Sequence, residues 1–177
     1  SMVISYGQDD RVCAFAGVKA IFEVEKPEYT AVTLCVDKEE TGSYGNTGMH
    51  SKFFENTVAE LINLQDNYSD LKIKRAMSRS RILSGDVNAA YDPNFSSVYE
   101  KANSAHMGGG VAIMKYSGSR GKSGTSDANA EFVCEVRRIF NQENVVWQTG
   151  ELGKVDQGGG GTVAYILANY GAEVLDC

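Results

Sequence analysis

Apolar residues recur along this chain with two alternating spacings, and the alternation predicts its architecture. From Asp9 onward, Val12, Phe15, Val18, Ile21 and Phe22 fall at helical spacing. Asp9 and Asp10 sit where a helix N-terminus favours carboxylates, and Pro27 lies beyond the expected end. Ala31 to Val36 is a short apolar run of the kind that forms a buried strand, and it delivers Asp37 to Ser43 into a Gly-rich loop, Thr41 to Gly48. From Ser51, the positions Phe54, Val58, Leu61 and Ile62 mark a second amphipathic helix, whereas residues 66 to 80 are polar and basic and predict irregular structure.

Ile82 to Val87 predicts a strand carrying Asp86, followed by the loop Tyr91-Asp92-Pro93-Asn94. Val111 to Tyr116 predicts another, entered through Gly108 to Gly110. Beyond the basic loop Ser117 to Gly124 comes a helix with Phe132, Val133, Val136, Ile139 and Phe140 on its apolar face. Ser126 or Asp127 is its expected cap, and Arg137 and Arg138 complement its C-terminal dipole. Val145 to Thr149 is a strand, Thr162 to Tyr170 a helix closed by Gly171, and Val174 to Cys177 a last strand. Strands and helices alternating in this way predict an α/β/α sandwich with a mostly parallel sheet, residues 1–177 forming a single domain.

Composition narrows the class. The chain is 42% hydrophobic and 23% charged, ordinary for a globular domain, but its 19 glycines cluster in a few loops. A net charge of −6 argues against nucleic acid or an anionic membrane as partner. Cys13, Cys35, Cys134 and Cys177 lack paired spacing; the first three sit in apolar patterns and read as small buried residues of a reduced, cytoplasmic protein. There is no secretory or targeting pattern and no long apolar span.

Several stretches invite chemistry, each with a plainer alternative. Gly118-Ser119-Arg120-Gly121-Lys122-Ser123 follows a strand and precedes a helix, but the phosphate-binding pattern needs a glycine where Tyr116 stands. The alternative is a basic surface loop. Gly158 to Gly161 either brings backbone amides close to a substrate or permits tight helix–sheet packing. His50 and His106 are isolated, without the spacing of a catalytic or metal-binding set, and fit exposed loop positions. Asp9, Glu39, Glu40 and Asp86 each sit beside an apolar element, and parallel strands bring their C-terminal ends to one edge of a sheet. They are either a shared metal site or solvated loop carboxylates.

The ordered motifs Gln8-Asp9-Asp10-Arg11, Asp37-Lys38-Glu39-Glu40-Thr41-Gly42-Ser43, Ser84-Gly85-Asp86-Val87 and Asp92-Pro93-Asn94, with the turn Gly158 to Thr162, resemble those of the aspartyl aminopeptidase and vacuolar aminopeptidase I family. The basic loop and Gln148-Thr149-Gly150-Glu151 look most like its bacterial branch. The resemblance implies a zinc-exopeptidase-like fold, a di-zinc site, removal of N-terminal residues from peptides, and homo-oligomers that in the family are dodecamers. Carried over by position, Asp9 bridges two zinc ions, Glu40 and Asp86 each bind one, and Glu39 is the general base. Lys115, Asp156 and the turn containing Gly159 and Gly160 face the substrate.

The family takes two further zinc ligands from histidines, and neither His50 nor His106 matches those positions. Its dimerisation domain has no counterpart in this sequence, and Ala89 stands where many members have histidine. The expectation is a central piece of a larger catalytic domain, truncated at both ends. It would hold zinc weakly through carboxylates alone and show little or no aminopeptidase activity by itself. The alternative is a non-catalytic scaffold or assembly piece of the same fold.

Overall fold

A computed structural model describes residues 2–65, 67–115, 123–125, 128–154 and 156–177. The described elements are helices α1 (Gln8–Glu23), α2 (Phe53–Asn63) and α3 (Asp70–Ser78), strands β1 (Arg81–Ser84) and β2 (Val111–Met114), helix α4 (Ala130–Gln142), strand β3 (Trp147–Gly150), helix α5 (Ala164–Ala168) and strand β4 (Glu173–Asp176). Short 3-10 turns occupy Glu39–Thr41, Pro93–Val98 and Lys101–Asn103. The strands lie in the order β1-β4-β2-β3, so the last strand is interior to the sheet. β1 runs parallel to β4 and β2 parallel to β3, while β2 and β4 meet antiparallel at Met114 and Asp176.

Neighbouring residues of a strand face opposite sides, and β4 shows what this does to the core. Val174 joins Met49, Ala164, Ile166 and Leu167, whereas Leu175 joins Ile113, Ala128, Phe132 and Val136. α5 therefore covers one face of the sheet and α4 the other, which is the expected α/β/α arrangement. α2 extends the first layer through Phe54, and its Ile62 shares a third cluster with Ile73 and Met77 of α3.

Some elements depart from the sequence pattern. Residues 70–78, expected to be irregular, form α3: Ser69 caps it by accepting from the Lys72 amide, and only Ile73 and Met77 are buried. Two apolar residues one turn apart among lysines and arginines suffice for a helix that packs on α2 and Tyr170. Residues 31–36, expected to be a strand, carry no ladder among the described residues. Leu34 and Val36 are covered in another way, by packing on the Met49 cluster, and the Thr33 hydroxyl donates to the Gly17 carbonyl of α1 at 2.8 Å, while Val32 is 57% exposed.

Burial of the cysteines also differs: Cys35 and Cys134 are exposed and Cys13 is partly buried. α4 begins at Ala130 after Asn129, whose amide donates to both carboxylate oxygens of Glu173. The predicted cap at Ser126 or Asp127, and residues 117–122 of the basic loop, lie outside the described residues. Arg137 lies over the Trp147 ring, 4.7 Å from its centroid, instead of serving the helix end. The apolar stripe of α1 is uncovered, with Phe15 and Phe22 68% and 85% exposed.

Candidate metal centre

Three segments meet at the C-terminal end of β1. The parallel pairing of β1 with β4 continues past the strands, as the Cys177 amide donates to Ser84 and the Asp86 amide to Cys177. This fixes Asp86 immediately beyond the sheet edge. The start of α1 closes over it at Gly85, where an added Cβ would stand 3.3 Å from the Cβ of Cys13. Asp9 and Asp10 do not take helical backbone angles, so they depart from the expected regular helix start. Oxygens of Asp9, Asp10 and Asp86 instead lie within 4.8 Å of one another.

Burial and neighbouring negative charge both make a carboxylate resist ionisation. Burial pushes Asp86 up to about 7, opposed by the hydrogen bond from the Val87 amide and reinforced by the charges of Glu39, Asp9 and Asp10. Burial, then Glu40, Asp9 and Asp10, raises Glu39 above the ordinary glutamate value. Asp10 is raised by burial and by Asp9, against a hydrogen bond from Cys13. The Cys13 thiol is pushed up to about 12, first by burial and then by Asp10. Burial and neighbouring negative charge raise the proton affinity of Asp86, Glu39 and Asp10, an arrangement a divalent cation relieves, so these oxygen donors fit a metal.

The Glu39–Glu40 turn is built locally. The Lys38 carbonyl accepts from the amides of Thr41 and Ser43 at 3.2 and 2.7 Å, and Asp37 donates across to Thr47 at 3.0 Å. Lys38, Gly42 and Ser43 have positive φ, which turns the chain back on itself. A Cβ at Gly48 would lie 2.2 Å from the Ser43 carbonyl oxygen. Gly48→Ala is therefore expected to cost about 1–3 kcal/mol of stability and to weaken metal binding, read by thermal melting and metal titration. An unchanged melting temperature would show that the loop yields without harm.

The other predicted residues lie on the segments that follow β2 and β3. Lys115 directly follows β2, whose Met114 pairs with Asp176 of β4. Asp156, with φ 66°, is exposed in the loop after β3. The 158–161 turn packs closely: Gly158 donates to Lys154 at 2.8 Å, and a Cβ at Gly153 would meet the Gly159 nitrogen at 2.4 Å. A Cβ at Gly160 would sit 3.1 Å from Leu152. Thr162 donates to the buried Asp176 carboxylate at 2.7 Å. Sequence reasoning placed Asp10 only at a helix start and missed it as a member of the cluster. His50, expected at an exposed loop position, is partly buried against Tyr165.

The linked pKa values predict a pH dependence. Asp86 keeps its proton to about pH 7 in the fold, against an ordinary value of 3.8, so the folded state binds the extra proton between them. That stability is fully present below 3.8 and is lost as pH rises toward about 7. In chelator, the melting temperature of the chain relative to Asp86→Asn should fall across this window, and added divalent metal should reverse the fall. A flat or rising difference would contradict the assignment.

Carboxylates gathered beyond the strand ends of a mostly parallel sheet define an α/β domain with a candidate metal centre. The family model described as aminopeptidase I zinc metalloprotease (M18) matches residues 1–177, and the chain belongs to that family. It is 58% identical over 177 residues to a probable M18 family aminopeptidase 1 of Clostridium acetobutylicum, covering 100% of this chain and 38% of the relative. The crystal structure of aminopeptidase I from that organism matches with TM-score 0.86 and 56% identity, over 98% of this chain and 37% of that one. An M18 aminopeptidase structure from Thermotoga maritima matches with TM-score 0.90 and 42% identity, over 97% and 38%. The mApe1 structure of S. cerevisiae, described as a dodecamer, shares the fold at TM-score 0.72 and 23% identity, over 99% of this chain and 40% of that one. The chain thus spans 38% of the length of its Clostridium relative.

Proposed function

We propose that this chain supplies the metal-binding and proton-moving part of a zinc aminopeptidase that removes N-terminal residues from peptides in the cytoplasm. The observation that carries the reading is the convergence of Asp9, Asp10 and Asp86 within 4.8 Å beside Glu39. Asp9, Glu40 and Asp86 would hold two zinc ions, as the family resemblance implies, with Asp10 adding a further carboxylate to the cluster. Bound zinc polarises a peptide carbonyl and acidifies a water. Glu39, raised above the ordinary glutamate value, is suited to take a proton from the attacking water and return it to the leaving amine. Lys115, Asp156, Gly159 and Gly160 face the substrate in this reading. Homo-oligomeric assembly is proposed from the dodecamer named for the S. cerevisiae relative.

Oxygen donors alone are a harder set than zinc prefers, so the isolated chain should bind zinc weakly and hydrolyse little. The test is release of chromophore from Leu- and Glu-aminoacyl substrates with added zinc. The isolated chain should stay near background, and a chain extended to the length of its M18 relatives should show zinc-dependent turnover. A full-strength zinc-dependent rate from the isolated chain would show that it needs no further ligands. No turnover from the extended chain would remove the aminopeptidase reading.

A further inference from the structure

The Glu39–Glu40 turn makes its own backbone hydrogen bonds, but those bonds do not fix where the turn stands relative to Asp9 and Asp86. Residue 50 does. The His50 amide donates to the Ser43 carbonyl at 3.1 Å, closing the loop behind the two glutamates. Its ring stacks on Tyr44 with centroids 4.5 Å apart and planes 12° from parallel. On its other side, His50 Nε2 and the Tyr165 hydroxyl are hydrogen-bonded at 3.1 Å, and the two rings meet edge-on at 6.0 Å.

Two partners of His50, Tyr165 and Ser43, are anchored, while Tyr44 is 71% exposed. Tyr165 belongs to α5, flanked by the buried Ala164 and Ile166. Met49, directly before His50, is 2% exposed and shares their cluster with Val174 of β4. Ser43 is itself buried. A path of contacts therefore runs from the sheet through α5 and Tyr165 to His50, and through Ser43 and Tyr44 to the turn holding Glu39 and Glu40.

We propose that His50 is a positioning residue: the Tyr44–His50–Tyr165 clasp holds the Glu39–Glu40 turn against the acidic cluster so that Glu40 reaches the metal. This rests on the proposed metal-binding function and adds a residue the ligand set does not contain. Groups that orient metal ligands from outside commonly change affinity by about 10- to 100-fold. His50 acts at one further remove, through the loop, so the low end applies.

The experiment is calorimetric titration of the chain with manganese chloride alone, which needs no catalysis. His50→Phe keeps a ring for Tyr44 but loses the hydrogen bond, and it should weaken manganese binding about tenfold. Tyr165→Phe, which removes only the hydroxyl, should do the same, and the double variant should be no worse than either single one. His50→Gln, which can still bond the Tyr165 hydroxyl, should recover most of the affinity. In a Glu40→Gln background, His50→Phe should have no further effect, which separates positioning of Glu40 from general loosening of the fold.

Wild-type affinity in His50→Phe, or a tenfold loss that persists undiminished with Glu40→Gln, overturns the proposal. Asp86→Asn is the control for the site itself. If it abolishes binding while His50→Phe does not alter it, only the clasp fails. If the wild-type chain binds no manganese, the metal centre and the clasp fail together.

Discussion

Glu39→Gln should reduce peptide hydrolysis by about 10²–10⁴-fold while leaving metal binding within about twofold, assayed in a chain extended to the length of its M18 relatives. The size of the loss follows from the division of labour between two adjacent side chains. Glu39 is partly buried, and burial with the charges of Glu40, Asp9 and Asp10 raises its proton affinity. Glutamine keeps the shape and the hydrogen-bonding oxygen but has no basic carboxylate. Glu40→Gln should show the opposite profile, with metal affinity falling first and activity following it. If Glu39→Gln stripped the metal, the two roles would have to be exchanged; if it retained full activity, Glu39 would not be the base.

Leu175→Ala should cost about 2–5 kcal/mol, a large share of the stability of an ordinary domain. Leu175 is 0% exposed and lies on the interior strand β4, in register with Leu83 of β1. It packs with Ile113 of β2 and with Phe132 and Val136 of α4, so its removal opens a cavity where strand and helix layers meet. Because β4 also carries Val174 and Asp176 into the opposite layer, the gap cannot close by a shift of one element. Urea unfolding measures the loss, and a change below about 1 kcal/mol would mean that the layers are not packed as described.

How much of this was legible in the sequence depended on how widely each element is buried. α4 must cover a sheet face, so its stripe of Phe132, Val133, Val136 and Phe140 is broad, and its existence and type follow from periodicity. α3 buries only Ile73 and Met77, against α2 and Tyr170, and that pair is too narrow a signal among its charges. Residues 31–36 show the reverse error. An apolar run does not say what covers it or how much of it is covered, and here the Met49 cluster takes Leu34 and Val36 while Val32 stays exposed.

The site divides in the same way. Asp86 at a strand end and Asp9 and Glu39 beside apolar elements were visible from pattern and motif, because a sheet edge gathers such residues. Asp10 was not, because a carboxylate at a helix start already has an ordinary explanation in the helix dipole, and only the non-helical backbone at Asp9 and Asp10 excludes it. His50 was missed because its partners are spread out: Tyr165 lies 115 residues away, a separation no local pattern reports.

The most direct test of the metal centre is titration of the isolated chain with a divalent cation at a pH above 7, where Asp86 is ionised, alongside Asp86→Asn. The account predicts saturable binding by the chain and a loss of at least about tenfold in the variant, since one of three converging carboxylates has gone. Binding that is absent, or equal in the chain and in Asp86→Asn, would contradict it.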